Sequence, residues 1–307
     1  MLEKIVVVTR KTRLEGLIER FNSRAQAKFY LDHSGGDFQD YEREDATYRR
    51  AVETVRRTLV DVGLKVQVVD RSLVPTMMFT ENDLIVAVGQ DGLVANTAKY
   101  VGEQPIVAVN PDPERFDGIL LRYAPSQARA AVVSLLEGRA RTREVTLAEA
   151  ALDDGQRLLA FNDLFIGARS HVSARYRILF GGSSEPHSSS GVLVSTGAGS
   201  TGWLSSVFAM SGAVARFGGG QPGKPFRLEW EDPRLVFVVR EPYVSRHSRA
   251  GIAAGMIEST GELVIESQMP SGGVIFSDGV EADALEFNSG ARARIRAAAR
   301  KTRLVAN

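Results

Sequence analysis

Asp91 stands in the four-residue stretch Gly89-Gln90-Asp91-Gly92, directly after the apolar run Leu84-Ile85-Val86-Ala87-Val88. A buried strand that ends in a glycine-flanked carboxylate places one acid at the carboxyl edge of a sheet, where open α/β sheets bind ligands. The glycines let the backbone approach a phosphate, and a following helix offers unpaired N–H groups to an anion. A carboxylate there is a poor direct phosphate ligand, because like charges repel. It is suited instead to act as base for a hydroxyl, or as partner of a metal ion that bridges phosphates. The same residues also fit a plain βα turn with an aspartate helix cap.

Three further groups could do chemistry. Ser195-Thr196-Gly197-Ala198-Gly199-Ser200-Thr201-Gly202-Trp203 follows the apolar run Val192-Leu193-Val194. A strand feeding glycines and hydroxyls into a helix start makes a nest of donors, and Trp203 adds a flat face for a base or ring. A capped helix with Trp203 in the core is the alternative. Phe161-Asn162-Asp163-Leu164 closes a strand candidate; its amide and carboxylate could fork hydrogen bonds to ribose hydroxyls or a base edge, or form an Asx-turn. Asn110-Pro111-Asp112-Pro113-Glu114-Arg115 follows another strand candidate, so its stiffened loop belongs to the same sheet edge as Asp91.

Other signals fail. Gly218 to Lys224 spells a P-loop up to its lysine, but Pro225 stands where a Ser or Thr should hold Mg²⁺, and a loop is the better reading. The histidines, His33, His171, His187 and His247, lack metal-ligand spacing, so no zinc site is indicated. Arg139, Arg141 and Arg143, like Arg292, Arg294 and Arg296, alternate at strand period and read as solvated strand faces.

These residues need elements to position them. Ile5 to Val8, Leu64 to Val69, Leu84 to Val88 and Pro105 to Val109 read as strands. A polar, partly helical stretch runs to about Leu59, and helices fit Gly92 to Val101 and Ser126 to Glu137. Strands alternating with helices predict a parallel, doubly wound sheet. After Gly138, short strand candidates recur at Thr142 to Leu147, Arg157 to Phe161, Tyr176 to Phe180, Leu235 to Val239, Glu262 to Ser267, Val274 to Phe276 and Ala293 to Ile295. Their turn-rich spacing predicts a β sandwich or open barrel interrupted by one helix from Thr196 to about Phe208. The expected organisation is an α/β domain over 1–140 and an all-β domain over 141–307, whose extreme C-terminus packs on the first.

Composition sets outer limits. The chain has 307 residues, 44% hydrophobic and 24% charged, as in ordinary globular proteins. Its 38 Lys and Arg nearly balance 37 Asp and Glu, for a net charge of +1, which gives no reason to expect nucleic acid or an anionic membrane as partner. There is no cysteine, hence no disulfide or thiolate metal site, which is compatible with a reducing compartment. No run approaches the roughly 18 apolar residues of a membrane span. The first strand begins almost at once, leaving no room for a signal peptide; a cytoplasmic protein is expected.

Taken in order, the motifs resemble those of the NAD kinase family, which carries a Gly-Gly-Asp-Gly turn after a strand, an Asn-Glu pair, and a Thr-Gly-Ser-Thr-Ala-Tyr-like segment in a β-rich second domain. The counterparts are Gly89-Gln90-Asp91-Gly92, Asn162-Asp163 and Gly199-Ser200-Thr201-Gly202-Trp203. Val8 to Arg13, Val109 to Arg115, Phe165-Ile166-Gly167, Ser189-Ser190-Gly191 and Arg240-Glu241-Pro242 add likeness to its mitochondrial-type branch. The resemblance implies an α/β domain plus a sandwich-like β domain. It also implies transfer of the γ-phosphoryl of ATP to the adenosine-ribose 2′-hydroxyl of NAD, giving NADP, with Mg²⁺ accompanying ATP. Asp91 would be the base or orienter of that hydroxyl. Gly89, Gln90 and Gly92 would meet the donor phosphates. Asn110, Asn162, Asp163, Thr196, Ser200, Thr201, Gly202 and Trp203 would hold NAD. A homo-oligomer, dimer or tetramer, is the family expectation. Gln90 replaces a glycine, Leu93 a threonine, Asp163 a glutamate and Gly202-Trp203 an Ala-Tyr pair. A weakly catalytic NAD(P)-binding regulator, or a lipid or sugar kinase of the same superfamily, are the alternatives.

Overall fold

The computed structural model describes residues 2–221, 223 and 226–306. Pro222, Lys224 and Pro225, which include the end of the discarded P-loop reading, lie outside them. The chain divides into two compact units, one of residues 1–143 and 302–307, the other of 144–301.

In the first unit, β-branched runs with no polar alternation form strands buried on both faces, as a parallel sheet requires. β1 (Lys4–Thr9) leads into α1 (Arg13–Phe21), α2 (Arg24–Ser34) and α3 (Phe38–Val60), so the polar stretch is three helices. Thr12, Ser23 and Asp37 cap them, each accepting a backbone N–H from the first turn. β2 (Lys65–Asp70), β3 (Asp83–Val88), α4 (Asp91–Tyr100), β4 (Pro105–Val109) and α5 (Ala128–Leu136) follow. The order β2-β1-β3-β4 is parallel throughout. Arg303 and Leu304 add the last strand beside Pro105 and Ile106. Tyr48, Val55 and Leu59 of α3 and Ala128, Ala131 and Val132 of α5 cover one face, against Ile5, Val7, Leu84, Val86, Val107 and Val109.

The second unit is two antiparallel layers. β5 (Arg141–Leu152), β6 (Arg157–Ala160), β7 (Asp163–Ala168), β8 (Ala174–Phe180), β9 (Ser183–Ser189) and β10 (Val192–Ser195) precede α6 (Trp203–Phe217). β11 (Leu235–Val239), β12 (Ala254–Ile257), β13 (Leu263–Ser267), β14 (Gly273–Ser277), β15 (Val280–Glu286) and β16 (Arg292–Ala306) complete it. One sheet has the order β12-β11-β10-β7-β14-β15; the other runs β16-β13-β8-β9 with β5 and β6 alongside. Every second residue points inward: Leu164, Ile166, Val192, Val194, Leu235, Phe237 and Ile275 meet Tyr176, Ile178, Leu263, Ile265, Ala293 and Ile295. The outer face of the first sheet carries α6, with Leu193 and Val236 against Leu204 and Val207.

Several sequence expectations shift. Gly181 and Gly182, read only as a turn, make a hairpin through positive φ angles of 57° and 77°, and their serines begin β9. β9, β12 and β15 were not anticipated, because they are polar or interrupted. The predicted helix over Thr196 to Phe208 is a 3₁₀ turn over Ala198–Thr201 followed by α6, which runs on to Phe217. The strand expected at Ala293 to Ile295 is fifteen residues long. Its arginines form an ion-paired face, Arg294 with Glu262 at 2.9 Å and Arg296 with Glu149 at 3.1 Å. Arg141 and Arg143 open β5, while Arg139 precedes it.

One buried contact ties α3 to the site edge of the parallel sheet. The Tyr48 hydroxyl donates to the Val88 carbonyl at 2.8 Å and accepts the Arg10 N–H at 2.8 Å, so it joins the carboxyl ends of β3 and β1. Tyr48→Phe leaves both backbone groups without that partner and lowers unfolding free energy by about 1–3 kcal/mol in urea titration; an unchanged midpoint would show that water replaces the hydroxyl.

Candidate active site

The first unit places its candidate residues where adjacent parallel strands end. Asp91 is the first residue of α4 and half-buried; its Oδ1 accepts the Leu120 N–H at 2.7 Å, and its other oxygen has no partner among the described residues. It therefore does not cap its own helix, but pins the loop that follows β4. Gln90 occupies the N-cap position in extended conformation without a side-chain cap, and its side chain is exposed. Gly89 is buried and donates to the Val109 carbonyl at 3.2 Å; Gly92 is exposed in the first helical turn, where the Leu93 N–H already donates to the Gln90 carbonyl at 2.8 Å. Asn110 is buried, with both ends of its amide engaged: Oδ1 accepts from Asp112 N–H at 3.0 Å and Nδ2 donates to the Phe116 carbonyl at 2.9 Å. That makes it the Asx-type organiser of its loop. Leu93 is buried under Gly89, with no polar group to offer.

In the second unit, two loops and a hairpin meet. Phe161 and Asn162 lie between β6 and β7, and Asp163 opens β7 opposite Ser195 of β10; the pair stands at a strand start as well as after a strand end. The Thr196 hydroxyl donates to the Phe161 carbonyl at 2.6 Å, and its N–H to the Asn162 carbonyl at 2.9 Å. Gly199 packs so tightly on this turn that a Cβ would lie 2.1 Å from the Asn162 carbonyl oxygen, and one on Gly197 would lie 1.8 Å from that of Glu229. Only glycine permits these approaches. The Ser200 hydroxyl donates to the Gly197 carbonyl at 2.7 Å and accepts the Leu228 N–H at 3.3 Å. Thr196 and Ser200 thus shape the loop, whereas Asn162, Thr201, Gly202 and Trp203 reach the surface.

Trp203 is half-buried at the start of α6. Its ring stacks on Phe165, centroids 5.9 Å apart and planes 11° apart, and the Arg240 guanidinium sits 5.2 Å from its centroid. One part of the ring belongs to the core and the rest stays open.

Asp278 was missed in the sequence. Its carboxylate accepts N–H groups from Phe161, Asn162 and Asp163. The available signal was the Asp278-Gly279 dipeptide between apolar runs, a two-residue hairpin marker with φ of 54° and 69°.

Known proteins resemble this chain in part of its sequence and in its fold. No protein-family model matches the chain. Over 132 residues it is 29% identical to NAD kinase 2, mitochondrial, of Rattus norvegicus, covering 40% of this chain and 31% of that protein. The Mus musculus protein of the same name matches equally, over 29% of its length. The match thus spans less than a third of these relatives. An NAD kinase from Archaeoglobus fulgidus, solved in complex with ATP, superposes over 99% of this chain and 94% of its own at a TM-score of 0.57 and 16% identity. Yeast NADH kinase, solved with NADH, superposes over 100% and 84% at 0.59 and 15%. The chain is thus similar to NAD kinases in part of its sequence and in its fold. Its fold is theirs: an α/β unit with a parallel sheet, followed by an antiparallel β unit. Among the described residues no helix is long and apolar enough to cross a membrane.

Burial, with the Asp278 charge beside it, pushes the Asp163 carboxyl up to about 7 from an ordinary 3.8. The folded chain then holds a proton that the unfolded chain releases, so stability falls as pH rises from about 4 to about 7 and levels off above. Asp163→Asn removes this cost: its melting temperature matches wild type near pH 4 and exceeds it at pH 8, on the order of 2 kcal/mol in stability. Parallel pH profiles for the two proteins would contradict the shift.

Proposed function

We propose that the chain is an ATP-dependent NAD kinase, transferring the γ-phosphoryl of ATP to the adenosine-ribose 2′-hydroxyl of NAD to give NADP. The observation that carries this reading is Asp91. Its carboxylate lies at the carboxyl edge of a parallel sheet and at a helix N-terminus, oriented through one oxygen by the Leu120 N–H. The other oxygen is available to accept a hydroxyl proton or orient the hydroxyl for attack, as general base catalysis requires. Kinship with NAD kinases supplies the substrate pair, and the names of the rodent relatives favour the mitochondrial-type branch.

Phosphoryl transfer needs positioning and charge neutralisation more than covalent chemistry. Gly89, Gln90 and Gly92 would supply the donor side: the N–H groups at the start of α4 suit phosphate oxygens. Asn162, Thr201 and Trp203 would contact the acceptor, with Gly202 admitting it closely, while Asn110, Thr196 and Ser200 hold the loops. Asp163 adds a carboxyl for ribose hydroxyls.

Among the described residues no cluster of three or more His, Cys, Asp or Glu side chains could hold a metal by itself. Mg²⁺ arriving with ATP fits that donor set, because it keeps water and phosphate ligands and needs no dedicated protein cage. It would neutralise charge on the donor phosphates.

A homo-oligomer, dimer or tetramer, belongs to the same proposal and is supported by the exposed Met210, Val214 and Phe217 on one side of α6. A cytoplasmic site of action is supported by the lack of cysteine; the names of the rodent relatives point to mitochondria.

NADP formed from NAD, ATP and Mg²⁺, read with an NADP-specific dehydrogenase, tests the reading. Asp91→Asn retains an oxygen for the Leu120 N–H, and should lose turnover by at least about a hundredfold while NAD still binds. Wild-type protein that binds NAD but forms no NADP with ATP or polyphosphate would instead be a regulator. Trp203→Ala should weaken NAD binding by about 1–2 kcal/mol if the open part of the ring stacks on the nucleotide. An unchanged dissociation constant with a lowered melting temperature would confine Trp203 to the core.

A further inference from the structure

The turn that presents Asn162 and Asp163 is held by a distant hairpin. Asp278, at the β14–β15 corner, accepts the Phe161 N–H at 2.9 Å through Oδ2, and the N–H groups of Asn162 and Asp163 at 2.6 and 3.3 Å through Oδ1. Its own N–H donates back to the Asp163 carbonyl at 3.0 Å. We propose that Asp278 is a positioning residue for the acceptor nucleotide, gathering three successive N–H groups so that the Asn162 amide and Asp163 carboxyl are presented together. The proposal rests on the NAD kinase reading.

Three features support it. Asp278 adopts a φ of 54°, a left-handed conformation that aspartate tolerates but glycine adopts at no cost, so the side chain has a use. Secondly, the side chains of Thr196 and Ser200 are engaged within the protein, whereas the Asn162 amide has no partner among the described residues. Asp163 goes further: it is only 7% exposed, and its carboxyl has no hydrogen-bond partner among the described residues. A ligand donor or acceptor can therefore complete it.

Thirdly, the surroundings of Asp163 isolate one electrostatic neighbour. β10 brings Ser195 and the loop after it Thr196, both uncharged, and the hairpin brings Asp278, whose charge adds to burial in raising the Asp163 carboxyl. Protonated, the Asp163 carboxyl donates to a ligand oxygen; ionised, it accepts from two hydroxyls. Dinucleotide binding should therefore vary with pH near neutrality, with burial setting most of the Asp163 midpoint and Asp278 adding to it.

The test is calorimetric titration of NAD, and separately of ATP, into the full chain from pH 5.5 to 8.5, for wild type, Asp278→Asn and Asp278→Glu. Asp278→Asn should bind NAD about tenfold or more weakly with ATP affinity within about twofold of wild type. The midpoint of its NAD profile should move to lower pH, because the neighbouring charge is gone. Asp278→Glu keeps the charge but displaces the turn by one methylene, so it should weaken NAD while retaining the midpoint; it decides the matter if Asp278→Asn does not fold. A folded variant with wild-type NAD affinity, or equal losses for NAD and ATP, would overturn the positioning role alone. A wild-type chain that binds no NAD would overturn the kinase reading and this proposal with it.

Discussion

The carboxylate of Asp278 accepts the amide protons of three consecutive residues, and the candidate site of the second unit depends on that contact. A turn buried between two sheet strands exposes N–H groups that no ladder can pair, and leaving them unpaired is expensive. Satisfying them from one carboxylate determines the direction of the turn, and with it the placement of Asn162 and Asp163. The close passage of Gly199 over the Asn162 carbonyl and the Thr196 hydroxyl on Phe161 lock the opposite side. The cost is electrostatic: the carboxylate that organises the backbone also burdens the neighbouring acid, and Asp163 is displaced toward neutral pH.

The first unit solves the same backbone problem with different groups. Tyr48 bridges the ends of β1 and β3, Asn110 closes its own loop from both ends of its amide, and Asp91 holds the Leu120 N–H. Each is a polar side chain bonded to loop backbone, at the edge where parallel strands deliver their loops. Among them Asp91 differs, because one of its oxygens has no partner among the described residues. A carboxylate oriented by a backbone N–H and left half-exposed is preorganised rather than merely present, which is the condition for proton transfer.

Much of this was legible beforehand, for definable reasons. β1, β3 and β4 are buried on both faces, so their apolar runs read as strands without ambiguity, and their parallel arrangement follows from the helices between them. β11 and β13 read equally well. β9 did not, because its serines, His187 and Pro186 look like loop; it forms a strand because β8 offers a complete antiparallel register from Ala174 to Phe180. α6 began later than its glycine-rich start suggested, since the close packing of Gly197 and Gly199 favours a 3₁₀ turn before the helix. The candidate motifs were visible as glycine and hydroxyl clusters, but their division of labour was not. Whether a hydroxyl points at solvent or at a carbonyl depends on which segment folds over it.

The sequence by itself therefore determined the layers, the strand-end location of Asp91, and the order of its motifs, because burial periodicity and turn chemistry are local properties. The tertiary structure decided which polar side chains remain available to a ligand. Asn110, Thr196 and Ser200 are consumed by backbone groups far from simple motif spacing, while Asp91 and Asn162 retain free polar atoms. It also brought Asp278, more than a hundred residues away, onto the turn of Asn162 and Asp163. Hydrogen bonds and charge at such separations are set by packing, and no local pattern encodes them.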